Sequence, residues 1–221
     1  MGLSRDTISR ILCRNRLSRM HDPEPRPPVQ RYEHKAPADL LHPDIRKLGR
    51  FTAPGARAHG DLSRRTRGVG WDYVHVAIDD HSRIAFSRIY PNEKGPSVSA
   101  FLRVAVADYA RPGIRIRRIL TDNGPAYRSL AFARACTELG LKHRFTRPYT
   151  PRANGKAERF IQTALREWAY ARAYHCSDHR NRDLLPWRHQ YNWHRPHAGI
   201  GLAAPISRSG LDRNNLLSLH N

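Results

Sequence analysis

Residues 114–124, with the sequence IRIRRILTDNG, decide how this chain folds. Apolar and basic residues alternate from Ile114 to Arg117, and the β-branched run up to Leu120 is typical of a strand. The Asn-Gly pair behind Asp122 turns the chain. Further along, residues 154–159, NGKAER, begin a helix that carries Glu158. The residues between leave room for a helix, a short strand and this second helix start, so both carboxylates can meet at one sheet edge. Facing acids commonly hold hard divalent cations through oxygen.

Three separate motifs occur in order: DNG at 122–124, RPYTPRANGKAERF at 147–160 and YNWHRPH at 191–197. Together they resemble the catalytic core of DDE transposases and retroviral-type integrases, and most of all the bacterial IS481-group insertion-sequence transposases. The resemblance runs from about Leu3 to Asn215. It implies an α/β ribonuclease H-like fold, with a mixed five-stranded sheet flanked by helices and a short N-terminal helical remnant.

The resemblance implies that Asp44, Asp122 and Glu158 are the catalytic and metal-binding residues. Asp44 and Asp122 would hold one Mg²⁺, and Asp44 with Glu158 a second, with Mn²⁺ able to substitute; two such ions activate a nucleophile and stabilise the phosphoryl transition state. Asp79 and Asp80 are rivals of Asp44, but acids at a hairpin tip usually serve the turn. Pro43 departs from the family pattern because it removes a backbone donor inside a central strand.

Basic residues surround Glu158. Cations in the first turn of a helix are unfavourable for the helix dipole, so Lys156 and Arg159 suggest an anionic ligand; the alternative is a solvated basic face. By the same resemblance the DNA-binding set is Asn154, Lys156, Arg159, Arg147, Tyr149 and Arg152.

Composition points to the same partner. Of 221 residues, 39 are Lys or Arg and 19 are Asp or Glu, a formal net charge of +20 that favours a polyanion such as DNA. A membrane surface is a weaker candidate, because no basic amphipathic helix dominates and no run of about 18 apolar residues exists. Three widely spaced cysteines argue against disulfides or structural zinc and suit a reducing cytoplasm. The resemblance implies that this cytoplasm is bacterial.

The sequence predicts four segments. Residues 1–20, with a serine cap at Ser4 and apolar residues at helical spacing, resemble the remnant of a helix-turn-helix DNA-binding domain in a truncated family member; a frayed basic helix without a core is the favoured alternative. Residues 21–34 form a proline-rich linker, residues 35–200 the integrase catalytic core, and residues 201–221 an irregular tail.

Within the core, periodicity predicts strands at 38–48, 71–78, 83–90, 114–120 and 142–146 and helices at 97–110, 129–139, 152–173 and 184–193. Residues 49–70 are predicted to form a long loop. Its arginines either contact phosphates or form a solvated charge run, namely Arg57, Arg64, Arg65 and Arg67.

The expected function is Mg²⁺-dependent cleavage and joining of element ends and target DNA by a homo-oligomer. The alternative is a catalytically impaired transposase that only binds DNA or pairs with intact subunits as a repressor. A nuclease acting on RNA–DNA hybrids ranks last. His194 and His197 form an HxxH pattern that lacks a third zinc ligand, so capping and packing is the favoured interpretation of that segment.

Overall fold

The computed structural model of the chain describes residues 2–18, 33–54, 69–147 and 154–210. Contacts divide the chain into two units, Met1–Tyr32 and Glu33–Asn221. In the first unit, helix α1 spans Arg5–Arg14, and the hydroxyl of Ser4 caps it by accepting from the Thr7 backbone N–H at 3.2 Å. None of its residues is buried, as expected of a helix without a core of its own. Its origin in a helix-turn-helix stays a prediction.

The second unit is built on a five-stranded mixed sheet in the order β3-β2-β1-β4-β5. The strands are β1 (Leu41–Gly49), β2 (Trp71–Asp79), β3 (Ala85–Tyr90), β4 (Arg118–Thr121) and β5 (Lys142–Phe145). Strands β1, β2 and β3 pair antiparallel, whereas β4 runs parallel to both β1 and β5. This arrangement confirms the expected ribonuclease H-like sheet.

The strand predicted at 114–120 is only partly a strand. Ile114 and Ile116 are buried in the core, as their alternation indicates, but the ladder begins at Arg118. Residues 114–117 instead follow helix α2, and the backbone N–H of Ile114 bonds the Tyr109 carbonyl at that helix's end. The alternation of apolar and basic residues therefore predicted burial correctly. The strand itself is shorter, because its length depends on where it pairs with the neighbouring strands.

Helices cover both faces of the sheet. They are α2 (Gly95–Ala110), α3 (Leu130–Glu138), α4 (Gly155–Ala164), α5 (Ser177–Arg182) and α6 (Leu184–Trp193). One face packs on α2 and α3 through residues such as Leu41 and Phe101. The other packs on α4 and α6 through residues such as Val76, Phe160 and Tyr191. The bounds of α6 agree with the sequence prediction. Helix α3, predicted over 129–139, spans Leu130–Glu138, and the Ser129 side chain caps it by accepting from the Phe132 N–H.

The long helix predicted at 152–173 is shorter in the structure. Residues 151–153 lie outside the described part; α4 ends at Ala164, and a π-helical stretch, Leu165–Ala169, follows. Two side-chain bonds end it: the Trp168 indole donates to the Arg180 carbonyl at 2.7 Å, and the Tyr174 hydroxyl donates to the Trp168 carbonyl at 2.8 Å. These bonds turn the chain back towards α5.

After α6 the chain continues as two short 3₁₀ turns, Ala198–Ile200 and Pro205–Arg208. His197 bridges to Ala203, and its Nδ1 accepts from the Gly199 N–H at 3.2 Å. His197 thus serves packing, as its motif suggested. Pro205 and Ser209 are buried whereas Leu202 is exposed, so the part of the predicted tail that the structure describes is partly packed; residues 211–221 lie outside the described part.

Candidate active site

Asp44 lies in the middle of β1, opposite Val76 of β2. On its other side, the pairing of β1 with β4 consists of one residue pair, Leu41 with Ile119. The Ile45 N–H donates to the carboxylate of Asp44 at 2.7 Å rather than to a neighbouring strand. The two strands therefore separate beyond Leu41, and the Asp44 carboxylate lies where they part.

Pro43 is compatible with this arrangement. The Asp79 N–H bonds the Ile84 carbonyl at 2.9 Å, so Asp79 and its partner Leu41 are a pair without a mutual hydrogen bond. Alternation along an antiparallel ladder then turns the nitrogens of both Leu41 and Pro43 away from β2. The missing donor faces the side where β4 has already separated, and the ladder between β1 and β2 is complete.

Asp122 follows directly after β4, as the sequence predicted. Its Oδ1 accepts from the Gly124 N–H at 2.9 Å, and the Asn123 side chain donates to the Thr146 carbonyl at 3.0 Å. A Cβ on Gly124 would lie 2.9 Å from the same oxygen. The Asn-Gly pair therefore both turns the chain and leaves room for the carboxylate.

Asp44 and Asp122 line one cavity of about 470 Å³. Two further lining residues could not be identified from the sequence: Glu93, which follows β3 and pairs with Lys47, and Tyr127. Burial, and then the charges of Asp44 and Asp122, raise the pKa of the Tyr127 phenol well above its ordinary value. Tyr127 is therefore a neutral wall of the cavity.

Glu158 occupies the exposed side of the first turn of α4. The pKa of Asp44 is raised from 3.8 to about 6, mainly by burial and also by the charges of Asp122 and Glu158, against the lowering effect of the Ile45 N–H. The Asp44 carboxyl group thus lies close enough to each of the other two to be affected by its charge.

The donor set suits a hard cation. Asp44 and Asp122 each have one oxygen bound to a backbone N–H, which leaves the second oxygen to face the cavity, and repulsion among the carboxylates favours a positive ion between them. Over the described ranges, no three His, Cys, Asp or Glu side chains are already grouped as ligands. Asp44 and Asp122 line one cavity and could hold an ion there, whereas Glu158 is not among the residues that line it.

The predicted DNA-binding residues are differently placed. Arg147 and Arg159 are exposed, whereas Asn154 stands at the N-cap position of α4 without a side-chain capping bond and is 9% exposed. The Asn154 side-chain oxygen is buried, with no hydrogen-bond partner found among the described residues. Tyr149 and Arg152, like Arg57, Arg64, Arg65 and Arg67 of the loop, lie outside the described residues.

Lys156 points into the protein. Its ammonium group donates to the carboxylate of Asp80, which also accepts from His42 Nε2 at 2.8 Å and from the His34 N–H at 2.6 Å. Burial raises the pKa of Asp80, but these donors outweigh burial and the pKa lies below its ordinary value. The sequence identified Asp80 only as a turn residue, and nothing local in it signals this long-range cluster.

Comparison with known proteins gives matches to integrases. Residues 52–151 match one family model described as "Integrase core domain", and residues 139–205 match a second with the same description. The Pol-related polyprotein of the mouse intracisternal A-particle MIA14 is 35% identical over 91 residues, 41% of this chain and 10% of that protein. A putative integrase of Spiroplasma virus SpV1-C74 is 24% identical over 148 residues, 61% of this chain and 41% of that protein. The chain thus spans less than half of either relative.

Solved structures resemble the fold. An intasome of simian T-cell lymphotropic virus superposes with a TM-score of 0.60 at 22% identity, covering 85% of this chain and 59% of that one. The catalytic core domain of HTLV-2 integrase, solved with magnesium as a dimer, gives 0.53 at 18% identity, covering 79% of this chain and 98% of that one. At these identities the likeness establishes the fold. Over the described part, no helix is long and apolar enough to cross a membrane.

Proposed function

Since the chain belongs to the integrase core family of DDE transposases and integrases, we propose that it cuts and joins DNA strands by phosphoryl transfer, with Asp44, Asp122 and Glu158 as its catalytic carboxylates. The observation that carries this proposal is the convergence of Asp44 and Asp122 on one cavity, with the charge of Glu158 acting on Asp44. Membership of the IS481 group stays a prediction.

The proposed cofactor is Mg²⁺, for which Mn²⁺ can substitute. Bound ions would supply a lower pKa for the attacking water or 3′-hydroxyl and would neutralise negative charge on the phosphate oxygens. Asp44 and Asp122 would hold one ion, and Asp44 and Glu158 the other. In this arrangement the strand β1 carries the shared ligand, so the rigid part of the sheet fixes the site and α4 supplies the adjustable third carboxylate.

The proposed substrate is DNA, both element ends and target. The formal net charge of +20 favours a polyanion, and Arg147 and Arg159 are exposed on either side of the segment leading into α4. Asn154 has a buried side-chain oxygen at the same helix start. Tyr149 and Arg152 are proposed contacts from the motif alone.

We also propose a homo-oligomer, because the HTLV-2 relative is described in dimeric and trimeric forms. The three cysteines are unpaired, with Cys13 exposed and Cys136 buried. Free thiols suit the reducing bacterial cytoplasm in which we propose that the protein acts.

Nicking of a supercoiled plasmid tests the proposal without knowledge of the element ends. We expect nicking with Mn²⁺ or Mg²⁺, none with EDTA, and a loss of at least about 100-fold in Asp122→Asn. Equal nicking by wild type and Asp122→Asn would overturn the enzymatic function. DNA binding by both proteins without nicking would favour the repressor alternative, and a preference for RNA–DNA hybrids would favour the nuclease.

A further inference from the structure

Asp80 joins two elements that each carry a proposed catalytic carboxylate. Its carboxylate, 0% exposed, accepts from His42 of β1 and from Lys156 in the first turn of α4. His42 is two residues before Asp44, and Lys156 is two residues before Glu158. A single buried side chain thus connects the strand and the helix close to the point where their carboxylates must meet.

The geometry along each element makes this connection effective. Alternate residues of a strand project from the same face, so His42 and Asp44 lie on the face that α4 covers, about 7 Å apart along β1. Lys156 and Glu158 are separated by a rise of about 3 Å along the helix axis. They point about 200° apart around the helix axis, with Lys156 directed inward and Glu158 exposed, so a shift of the Asp80 contacts would move Glu158 through the position of the first turn of α4 and Asp44 through β1.

The apolar face of α4 leaves this first turn in need of an anchor. Phe160, Ile161 and Ala164 pack under the body of the helix, whereas within the first turn Ala157 alone is in the core. The apolar contacts hold the helix on the sheet, and the Asp80–Lys156 ion pair determines where its first turn lies.

The same contacts explain the unfavourable charge of Lys156. A cation in the first turn opposes the helix dipole, and its side chain is 20% exposed, next to a carboxylate that is wholly buried. His42 donates to the same oxygen of Asp80 from a ring that is itself 1% exposed. The ammonium group of Lys156 therefore has a carboxylate partner inside the protein. No contact with a DNA phosphate is needed to explain its charge.

Building on the proposed function, we propose that Asp80 is a positioning residue that sets the distance between Asp44 and Glu158 through His42 and Lys156. Lys156 then belongs to the interior of the site rather than to the DNA-binding surface. Asp80 and Lys156 affect the reaction through the positions of Asp44 and Glu158, and they touch neither substrate nor metal.

Asp79 provides a matched control for Asp80. It is equally buried and accepts three hydrogen bonds, from the Ala38 N–H at 2.8 Å and from the N–H and hydroxyl of Ser82 at 2.7 and 2.6 Å. These partners belong to the loop before β1 and to the β2–β3 turn. Asp79→Asn therefore reproduces the loss of stability expected for Asp80→Asn without loosening Lys156 or His42.

The experiment compares Asp80→Asn, Lys156→Met, the double variant and Asp79→Asn, all folded as judged by thermal unfolding. Plasmid-nicking kcat, DNA Kd at several salt concentrations, and Mn²⁺ binding without DNA by electron paramagnetic resonance are measured. We expect Asp80→Asn and Lys156→Met each to lower kcat by about 10- to 100-fold and to weaken Mn²⁺ binding, with DNA Kd unchanged. The double variant should be no worse than either single one, because the two residues act as one unit.

Lys156→Arg, which keeps the cation, should recover part of the lost kcat, and Asp79→Asn should have the wild-type kcat at temperatures below its melting point. The proposal is overturned if Asp80→Asn has wild-type kcat and Mn²⁺ affinity. It is also overturned if Lys156→Met weakens DNA binding and lowers the salt slope by about one while Asp80→Asn does not, because Lys156 would then be a phosphate contact. A wild-type protein that neither binds Mn²⁺ nor nicks would instead contradict the proposed function itself.

Discussion

Asp44 and Asp122 face one cavity from two strands, β1 and β4, that share a single residue pair before they separate. Each carboxylate is fixed by a backbone N–H of its own segment, that of Ile45 or of Gly124. Neither bond crosses the gap. The two carboxylates are therefore held independently, each by its own strand. They interact with each other through electrostatic repulsion, which a cation between them would relieve.

Asp44→Asn should stabilise the metal-free protein at neutral pH. Because the pKa of Asp44 is raised from 3.8 to about 6 in the fold, the folded protein binds this proton more tightly than the unfolded chain. The charge therefore costs stability above pH 6, and the cost disappears as pH falls below 3.8. We expect a gain of at most about 3 kcal/mol at pH 7.5, vanishing near pH 4, in thermal unfolding with EDTA. Asp178→Asn, at a side chain 77% exposed, should change little, and a destabilised Asp44→Asn at pH 7.5 would contradict this account.

Gly124→Ala should impair the reaction more than the fold. The new Cβ would lie 2.9 Å from Asp122 Oδ1, so the carboxylate must move or lose its bond to the residue 124 N–H. We expect nicking to fall by at least about 10-fold and stability to fall by about 1–2 kcal/mol. Gly49→Ala is the control, since a Cβ there meets nothing within 4 Å, and equal activities of the two variants would refute the steric argument.

Arg159→Gln should weaken DNA binding with a distinctive salt dependence. Arg159 is exposed beside Glu158, and loss of one phosphate contact lowers the slope of log K against log salt by about one. Fluorescence anisotropy with a labelled duplex at several salt concentrations measures this slope. Arg103→Gln removes the same charge from α2, where Arg103 pairs with Glu138, and should leave the slope unchanged; a parallel loss in both variants would indicate a net-charge effect.

Asn192→Ala should destabilise the sheet edge. The Asn192 side chain accepts from the Ala85 N–H and donates to the Ala85 carbonyl, both at 2.9 Å, and both backbone groups would lose these bonds. We expect a loss of about 1–3 kcal/mol in denaturant unfolding. Asn192→Asp, which keeps the acceptor and removes the donor, should fall between. An unchanged midpoint in Asn192→Ala would show that solvent replaces the side chain at no cost.

Local signals in the sequence predicted much of this molecule. The Asn-Gly turn after Asp122, the start of α3 next to Ser129 and the bounds of α6 depend on neighbours in the chain, and the structure agrees with each. The charge cluster of Asp80 and the position of Glu93 depend on residues far apart in sequence. Periodicity carries no information about such partners, and for the same reason it overestimated the strand at 114–120.

The early separation of β1 and β4 has a consequence for how this protein can change. The place where Asp44 and Asp122 meet exists because two strands forgo hydrogen bonds that a regular sheet would make. Any substitution that lengthened the pairing of β1 and β4 would close that opening, although it would add hydrogen bonds to the sheet. The same backbone atoms would either complete the sheet or leave room for the two carboxylates. A more regular sheet at this point would therefore lack the site.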